Sequence, residues 1–459
     1  MKHSKKKIGI WGLGKVGKSA VEYFLGKQYE IEVLDKKTLK PEEKMFLKKH
    51  NIAYYDQENL EHFLQRNEFI LPSPGINLQQ MQQYKEKCIC ELDILQKEFH
   101  KPIIGITGSV GKTTITHIVN QTLQAQNISV WTGGNIGTPM LQLLKEKRNI
   151  QIALLELSSF QLEQSKTFCP DIAVWTNFYP NHLDRHGTLQ SYFEAKKNII
   201  RNQKSNQHAL LPLKIIDRLG PLEQYNSNIY FVSPKKPTDN QLKKLRPDDQ
   251  LLYLQNNTIF KYVPHTNKTS AIAKTNHWAD FTFQENLLII QGIFYIIKKY
   301  YGLSEAMIEK MQLKTLEHRL EKCCTIHSID FYNDSKSTTP ASTLAAVRKL
   351  SCRPIILLLG GLSKGVDRTP LIKKIKPHVK HIISFGKEAE LLKQLCKKEQ
   401  ISCTSFAHMQ EAVMHSFDYA KPKDQILLSP SGSSFDLFEN YIARGNHFKK
   451  IIQHIALQN

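Results

Sequence analysis

One ten-residue stretch limits the architecture of this chain more than any other: Gly105-Ile106-Thr107-Gly108-Ser109-Val110-Gly111-Lys112-Thr113-Thr114. An apolar run enters a glycine-rich turn, a Lys-Thr pair follows, and a helical pattern continues from Ile115 to Leu123. A strand that feeds a helix through such a turn is the phosphate-binding unit of a parallel α/β sheet. Its backbone N–H groups and the helix N-terminus form a cradle for phosphate oxygens. Gly108, Ser109 and Gly111 are expected to build the turn, with Lys112, Thr113 and Thr114 at the helix start. Lys112 can face the terminal phosphates, and the Thr113 hydroxyl can join the shell of a Mg²⁺ ion. The spacing is G-x-x-G-x-x-G-K-T rather than G-x-x-x-x-G-K-[ST], because position 106 is Ile. The chain is read as one that uses ATP.

The rest of the chain alternates strand and helix signals in three blocks. Lys7–Trp11 reads as a strand, Gly12-Leu13-Gly14-Lys15-Val16-Gly17 as a tight turn opening a helix through Phe24, and Ile31–Asp35 as the next strand. Phe69–Leu71 then runs into the sharp loop Pro72-Ser73-Pro74-Gly75. The pattern restarts near Phe99. Ile152–Glu156 and Ile172–Asn177 are short, nearly all-apolar runs, which suit central strands covered on both faces. Leu213–Ala273 reads as polar and irregular with weak strand signals such as Asn228–Val232, and a long helix is expected over Asn286–Tyr301. A third block begins near Gly302 with apolar strands at Ile355–Leu359, His381–Phe385 and Gln425–Ser429. The expected fold class is α/β in three domains. They are a Rossmann-like domain (1–98), a central P-loop domain with a parallel sheet (99–301), and a second Rossmann-like domain (302–459).

Composition narrows the function classes. With 459 residues, 41% of them hydrophobic and 23% charged, the chain can hold several domains with sizeable cores. No apolar run reaches the roughly 18 to 20 residues that span a bilayer; Leu287–Ile297 is broken by Gln291 and Gly292. The basic N-terminus lacks the apolar core of a signal peptide, so a cytoplasmic protein with no membrane partner is expected. Eight scattered cysteines with no paired C-x₂-C spacing read as reduced thiols, not a zinc site. The net charge of +21 comes from lysines spread along the chain, without an arginine-rich arm. That suits small anionic substrates, and for most of the lysines a solvated surface with no partner, better than nucleic acid.

Four further clusters carry chemistry. Glu156-Leu157-Ser158-Ser159-Phe160-Gln161-Leu162-Glu163 begins at the end of a buried strand, where an acid near the phosphate loop can hold Mg²⁺. Thr176–Gly187, with Asn181, His182, Asp184 and His186, follows the next strand. Asn333-Asp334-Ser335-Lys336-Ser337-Thr338-Thr339-Pro340 follows the short strand Ile329–Tyr332. Ser429–Phe438 is rich in small residues, lets a ligand approach the backbone, and leads to Arg444-Gly445-Asn446.

Taken in order, ELSSFQLE, NDSK-S-T, LLLGG-x-x-KG-x-D (Leu357 to Asp367) and LLSP-x-x-x-SFD-x-F resemble the Mur ligase family over nearly the whole chain. They resemble most its branch that adds D-glutamate to UDP-N-acetylmuramoyl-L-alanine. The arginine-bearing motif of the branches that add a third amino acid is not found, and folylpolyglutamate synthases share the loop but not the octad.

The resemblance implies roles residue by residue. The first domain would bind the UDP end, with Gly12, Gly14 and Gly17 facing the diphosphate, Asp35 and Lys36 near the uracil, and Ser73, Pro74 and Gly75 on the other side. In isolation, G-x-G-x-x-G with Asp35 18 positions after Gly17 would favour a dinucleotide fold. Lys112 and Thr113 match ATP-phosphate and Mg²⁺ residues, Glu156 a Mg²⁺ ligand and His182 a residue at a second metal. Asn135 and Ser158 match substrate positions, and Lys196 the lysine that is carbamylated in the family. His318 and Arg319 match residues near adenine and the γ-phosphate, and Asp334 a ribose contact. Lys336, Lys364, Ser434 and Phe438 match D-glutamate contacts. Catalysis is thus expected of Lys112, Glu156, His182, Lys196 and Lys336.

The implied reaction is ATP-dependent amide formation through an acyl phosphate, with two Mg²⁺ ions, in a monomer whose last domain closes when ATP binds. The sequence departs from the family in two places. Val110 stands where Asn is usual, and the adenine motif H-N-x-x-N reads Thr282-Phe283-Gln284-Glu285-Asn286, keeping only Asn286. These departures leave a catalytically weakened binding or regulatory module of the same fold as the alternative.

Overall fold

The computed structural model describes residues 5–274, 284–301 and 316–458. Its strands form three sheets. The first contains β1 (Lys6–Trp11), β2 (Tyr29–Leu34), β3 (Ala53–Tyr55) and β4 (Phe69–Pro72), all parallel, in the order β3-β2-β1-β4. The second contains β5 (Ile103–Thr107), β6 (Val130–Gly134), β7 (Ile152–Glu156), β8 (Ile172–Trp175), β9 (His208–Pro212), β10 (Asn228–Ser233), β11 (Gln250–Gln255), β12 (Thr258–Val263) and β13 (Lys268–Lys274). Its order is β13-β12-β11-β10-β9-β8-β5-β7-β6. The third contains β14 (Glu321–Ile326), β15 (Ile329–Asn333), β16 (Ile355–Gly360), β17 (Val379–Phe385), β18 (Cys403–Phe406) and β19 (Gln425–Leu428), ordered β14-β15-β19-β16-β17-β18.

The α/β fold class with mainly parallel sheets is therefore the observed one. The apolar runs are central strands: β5, β7, β8, β16 and β19 are buried at every residue. Strands covered on both faces have no polar side to alternate, so they read as near-continuous hydrophobic runs.

The 213–273 segment differs from the reading. It is not irregular: β10 and β11 extend the parallel sheet, and β11-β12-β13 is an antiparallel meander at its edge. Most of β13 is exposed, so its sequence shows no apolar stripe. An edge strand takes its order from backbone pairing instead. The long helix runs Gln284–Tyr301, close to the expected 286–301. The proposed boundary at 302 and the motif residues Thr282 and Phe283 lie outside the described residues.

The chain forms two compact units, Met1–Phe178 with Gln190–Met311, and Tyr179–Leu189 with Gln312–Asn459. The first unit holds two sheets joined by one continuous core that includes Ile10, Leu95, Leu141, Trp175 and Phe231. The second unit holds the third sheet, with core clusters on both faces. The segment 179–189 thus groups with the C-terminal sheet; there the Asp184 amide donates to Lys364 O at 3.4 Å.

One rule positions many of the candidate residues. In parallel α/β sheets, ligands meet the loops at the carboxyl ends of the strands. The neighbours β8-β5-β7 end in Thr176-Asn177, the phosphate loop and Glu156. The neighbours β2-β1-β4 end in Asp35, the Gly12–Gly17 turn and Ser73. The neighbours β15-β19-β16 end in Asp334–Lys336, Ser429–Ser434 and Gly361–Lys364.

Candidate active site

The phosphate loop joins β5 to the helix Lys112–Ala125. Two glycines are required by geometry. Gly108 has φ +148°, and a Cβ there would lie 2.0 Å from Thr176 Oγ1. Gly111 has φ +84° at the helix N-cap, where a Cβ would lie 2.5 Å from Asn286 Oδ1. Only a residue without a side chain takes this left-handed backbone at so close an approach.

The loop is held from behind. Asn177 Oδ1 accepts from Val110 N at 3.0 Å, and Asn177 Nδ2 donates to Val110 O at 3.1 Å. Thr176 Oγ1 donates to the same carbonyl at 2.8 Å, and Ser109 N donates to Asn177 O at 3.1 Å. Val110 is thus fixed through its backbone, so the exchange of its side chain does not unseat the loop. The same bonds revise the expected cradle. The N–H groups of Ser109 and Val110 face Asn177, while the Ser109 hydroxyl meets Tyr192 OH at 3.2 Å. The amides left for an anion are those of the first helical turn, Thr113 and Thr114 among them, whose N–H groups no intrahelical acceptor can reach.

Lys112 Nζ donates to Gly108 O at 2.8 Å. Lys196 Nζ donates to the same carbonyl at 2.9 Å and to Thr107 Oγ1 at 3.3 Å. Lys196 lies on the inward face of the helix Leu189–Arg201 with Tyr192, Phe193, Ile199 and Ile200, and is only 1% exposed. Burial, reinforced by the neighbouring Lys112 charge, pulls its amine well below the ordinary lysine range, against a smaller opposing effect of Glu156. A lysine held this way gives up its proton more readily than a solvated one, and the unprotonated amine is a nucleophile.

Glu156 closes β7 and is 2% exposed. Its Oε1 accepts from Asn135 Nδ2 at 2.9 Å, while Oε2 is buried with no hydrogen-bond partner among the described residues. A buried carboxylate oxygen left open is expensive unless a cation completes it. Asn135 is therefore the group that orients Glu156. Ser158 caps the helix Ser159–Gln164, its Oγ accepting from Gln161 N at 3.2 Å. The octad is thus, in part, a capping box. Asn286 lies against Gly111, at the loop rather than away from it. His182 begins the short helix Leu183–His186 with φ +55° and belongs to the second unit.

In the first sheet, Asp35 Oδ2 accepts from Leu13 N at 2.6 Å and Oδ1 from Lys37 N at 2.9 Å, so this carboxylate shapes its own loop. Ser73 Oγ donates to Gly12 O at 3.1 Å. Nothing lies within 4 Å of a Cβ built on Gly14 or Gly75, which leaves open backbone there, and Lys36, next to Asp35 in the chain, is exposed.

In the second unit the NDSK loop is tightly built. Asp334 is buried, with Oδ2 accepting from Ser429 Oγ at 2.7 Å and Oδ1 from Leu320 N at 3.2 Å. Burial, partly offset by these bonds, pushes its carboxyl up to about 6. Its oxygens thus serve the loop. The neighbouring Arg319 pulls the other way on the same carboxyl, through its charge. His318 is buried, with Nδ1 at 2.9 Å from Asn333 Nδ2 and its carbonyl accepting from Lys336 N at 3.1 Å. Burial, reinforced by the Lys449 charge, lowers its pKa and so favours the neutral ring. Lys364 Nζ donates to Thr338 Oγ1 at 3.2 Å, and Ser434 O accepts from Phe438 N at 2.8 Å.

Several residues escaped the sequence reading. Lys336 Nζ sits 3.6 Å from the Tyr441 ring centroid, a cation–π contact. Arg368, buried, pairs with Glu388 and donates to Gly360 O at 3.2 Å, while Glu388 Oε1 accepts from Ser363 N at 3.1 Å. Asn177 belongs to the Thr176–Gly187 cluster and Tyr192 carries no signal of its own; only three-dimensional contact shows that both grip the loop.

Three family profiles match the chain: MurD N-terminal domain over residues 7–80, Mur ligase middle domain over 106–275, and Mur ligase glutamate ligase domain over 318–432. A UDP-N-acetylmuramoylalanine–D-glutamate ligase from Acinetobacter baylyi is 32% identical over 456 residues, covering 96% of each chain. The corresponding ligase from Pseudothermotoga lettingae is 30% identical over 445 residues, covering 96% of this chain and 97% of its own. Among solved structures, a pseudomurein peptide ligase type C from Methanothermus fervidus aligns over 98% of this chain and all of its own, with a TM-score of 0.58 at 16% identity. That likeness speaks to the fold alone. The full-length match above 30% identity, joined to the phosphate loop and the buried Glu156–Lys196 neighbourhood behind it, places the chain in the Mur ligase family.

Proposed function

We propose that this chain is an ATP-dependent ligase that joins D-glutamate to UDP-N-acetylmuramoyl-L-alanine in cytoplasmic peptidoglycan precursor synthesis. The full-length match to D-glutamate ligases carries the reading. We further propose domains at 1–98, 99–301 and 302–459 that receive the UDP end, ATP and the amino acid respectively.

In the proposed reaction the muramoyl-alanine carboxylate attacks the γ-phosphorus of ATP, and ADP departs with the bridging oxygen's electrons. The D-glutamate amine then attacks the acyl carbon, loses a proton, and phosphate leaves from the tetrahedral intermediate. Little of this needs covalent help from the protein. Positioning and charge neutralisation dominate phosphoryl transfer. Lys112 and the helix-start amides face the phosphates, Lys336, Lys364 and Ser434 receive the amino acid, and Asn135 orients Glu156.

Magnesium fits these residues. Glu156 Oε2 is a buried oxygen without a partner, and no group of three His, Cys, Asp or Glu side chains occurs among the described residues. Glu156 and the Thr113 hydroxyl would hold one ion, with His182 serving a second. When bound, the ions supply positive charge against the transferring phosphoryl group. Lys196 would add a second anionic oxygen donor beside Glu156 if it carried a carbamate. Its neutral amine can bond to the carbon of CO₂ and release a proton, turning a would-be cation into a carbamate anion.

The test is phosphate release with the muramoyl-alanine acceptor and a panel of amino acids. Release is expected only with ATP, acceptor and D-glutamate together. Release that ignores D-glutamate defeats the reading.

A further inference from the structure

Arg444 lies in the first turn of the helix Tyr441–Gln458 and is fully buried. Its Nε donates to Ser335 Oγ at 3.1 Å, and Nη2 donates to Ser335 O at 2.8 Å and Gly432 O at 3.1 Å. Nη1 has no hydrogen-bond partner among the described residues and faces Gly361, where a Cβ would stand 2.9 Å away. No carboxylate among the described residues makes an ion pair with it; Asp436 and Asp334 act on it only through their charge. Burying a guanidinium without a paired carboxylate is costly, and an apolar residue of similar size would fill the space at less cost. Such a residue is hard to explain by stability.

Its location offers a reason. Ser335, Gly432 and Gly361 stand on the three loops that follow the adjacent strands β15, β19 and β16. Those loops also bond to one another: Ser431 N to Ser337 O at 2.9 Å, and Leu362 N to Ser433 O at 3.0 Å. They carry Lys336, Ser434 and Lys364. The same helix start supplies Tyr441, whose ring faces Lys336 Nζ and whose carbonyl accepts from Ser335 Oγ at 2.8 Å. The planar fork of one guanidinium thus sets two loops at fixed separation and packs on the third, a task that a lysine ammonium performs poorly.

We infer that Arg444 is a positioning residue that sets the spacing of the Asn333–Lys336, Gly360–Lys364 and Ser429–Ser434 loops, and through them the affinity for the incoming amino acid. The inference rests on reading these loops as the D-glutamate site. It predicts a selective defect: the amino-acid subsite loosens while the phosphate loop and the UDP subsite, built from other sheets, are untouched.

The test uses the full-length chain with Arg444→Met and Arg444→Lys, scored by melting midpoint and by separate KM values for D-glutamate, ATP and the UDP acceptor. For Arg444→Met we expect a midpoint at or above that of the parent, a KM for D-glutamate raised at least tenfold, a KM for the UDP acceptor within twofold, and a KM for ATP that rises less than that for D-glutamate, since Asp334, the expected ribose contact, shares the loop. Arg444→Lys should fall between. Should Arg444→Met melt early, Ser335→Ala, which removes the hydroxyl that accepts from Arg444 Nε and donates to Tyr441 O, must still raise the D-glutamate KM selectively. A D-glutamate KM within twofold of the parent, or three KM values rising together, overturns the inference. Failure of the parent reading looks different, because the unaltered chain would then release phosphate without D-glutamate. If it used another amino acid, the same comparison with that amino acid would decide the role of Arg444.

Discussion

Asn177→Asp offers a sharp test of how the phosphate loop is held. The two side chains have the same shape, so packing is conserved and only hydrogen-bond chemistry changes. In the native loop the carboxamide grips both backbone groups of Val110, accepting from N at 3.0 Å and donating to O at 3.1 Å. A carboxylate keeps the first bond but loses the second and turns an anionic oxygen toward a carbonyl. One lost bond costs about 0.5 to 1.5 kcal/mol, and an acceptor facing an acceptor adds a desolvation cost of about 1 to 3. Thr176 still serves the carbonyl at 2.8 Å, which limits the loss. A total of about 2 to 3 kcal/mol corresponds to a roughly 30- to 150-fold fall in kcat/KM for ATP. Asn177→Ala should cost less, about five- to tenfold, because water can reach the vacated space and bond both Val110 groups. The assay is phosphate release against ATP concentration, with acceptor and amino acid saturating. An Asp variant within threefold of the parent, or an Ala variant worse than Asp, would refute the clamp.

Three other outcomes follow from the same geometry. Degassing the buffer should reduce the activity of the parent chain and bicarbonate should restore it, with a ¹³C carbamate resonance that Lys196→Met abolishes; no resonance and no bicarbonate response would remove the modification. Glu156→Gln should raise the Mg²⁺ concentration for half-maximal activity at least tenfold, and chelation should stop phosphate release in the parent; an unchanged Mg²⁺ titration would reassign the acid. Glu91 is buried, and burial raises its pKa from 4.5 to about 8 against a smaller opposing effect of the Leu141 backbone. The folded state therefore binds the extra proton between those values. Stability is full below about pH 4.5 and declines as pH rises through about 8, by at most about 3 to 5 kcal/mol at 1.36 kcal/mol per pH unit. Glu91→Gln should thus match the parent near pH 4.5 and melt higher at pH 9; equal midpoints at pH 9 would show that the carboxyl is not so held.

The extent of legibility differs between parts of the chain. The parallel sheets were readable because strands buried on both faces are apolar at nearly every position. The edge meander was not, because exposed residues such as those of β13 leave no pattern. Local turn chemistry was also legible: Gly108 and Gly111 take backbone angles that side-chain-bearing residues resist. The grouping of Tyr179–Leu189 with the C-terminal sheet was not, since it depends on a contact between residues 180 positions apart.

What the order of amino acids determined alone was the repertoire: three αβ blocks, a phosphate-binding turn, and a lysine and an acid in the right segments. It could not set electrical state. Lys196 beside Lys197 reads as solvated charge until the helix turns one inward and leaves the other nearer solvent, and burial next to Lys112 then lowers the pKa of the inner amine. Asn177 and Arg444 likewise become loop clamps only when folding brings distant backbone within 3 Å or so. Local preference acts over a few residues and can be read from them. Desolvation, hydrogen-bond partnership and charge–charge coupling are properties of neighbours in space, and only the tertiary structure chooses those neighbours.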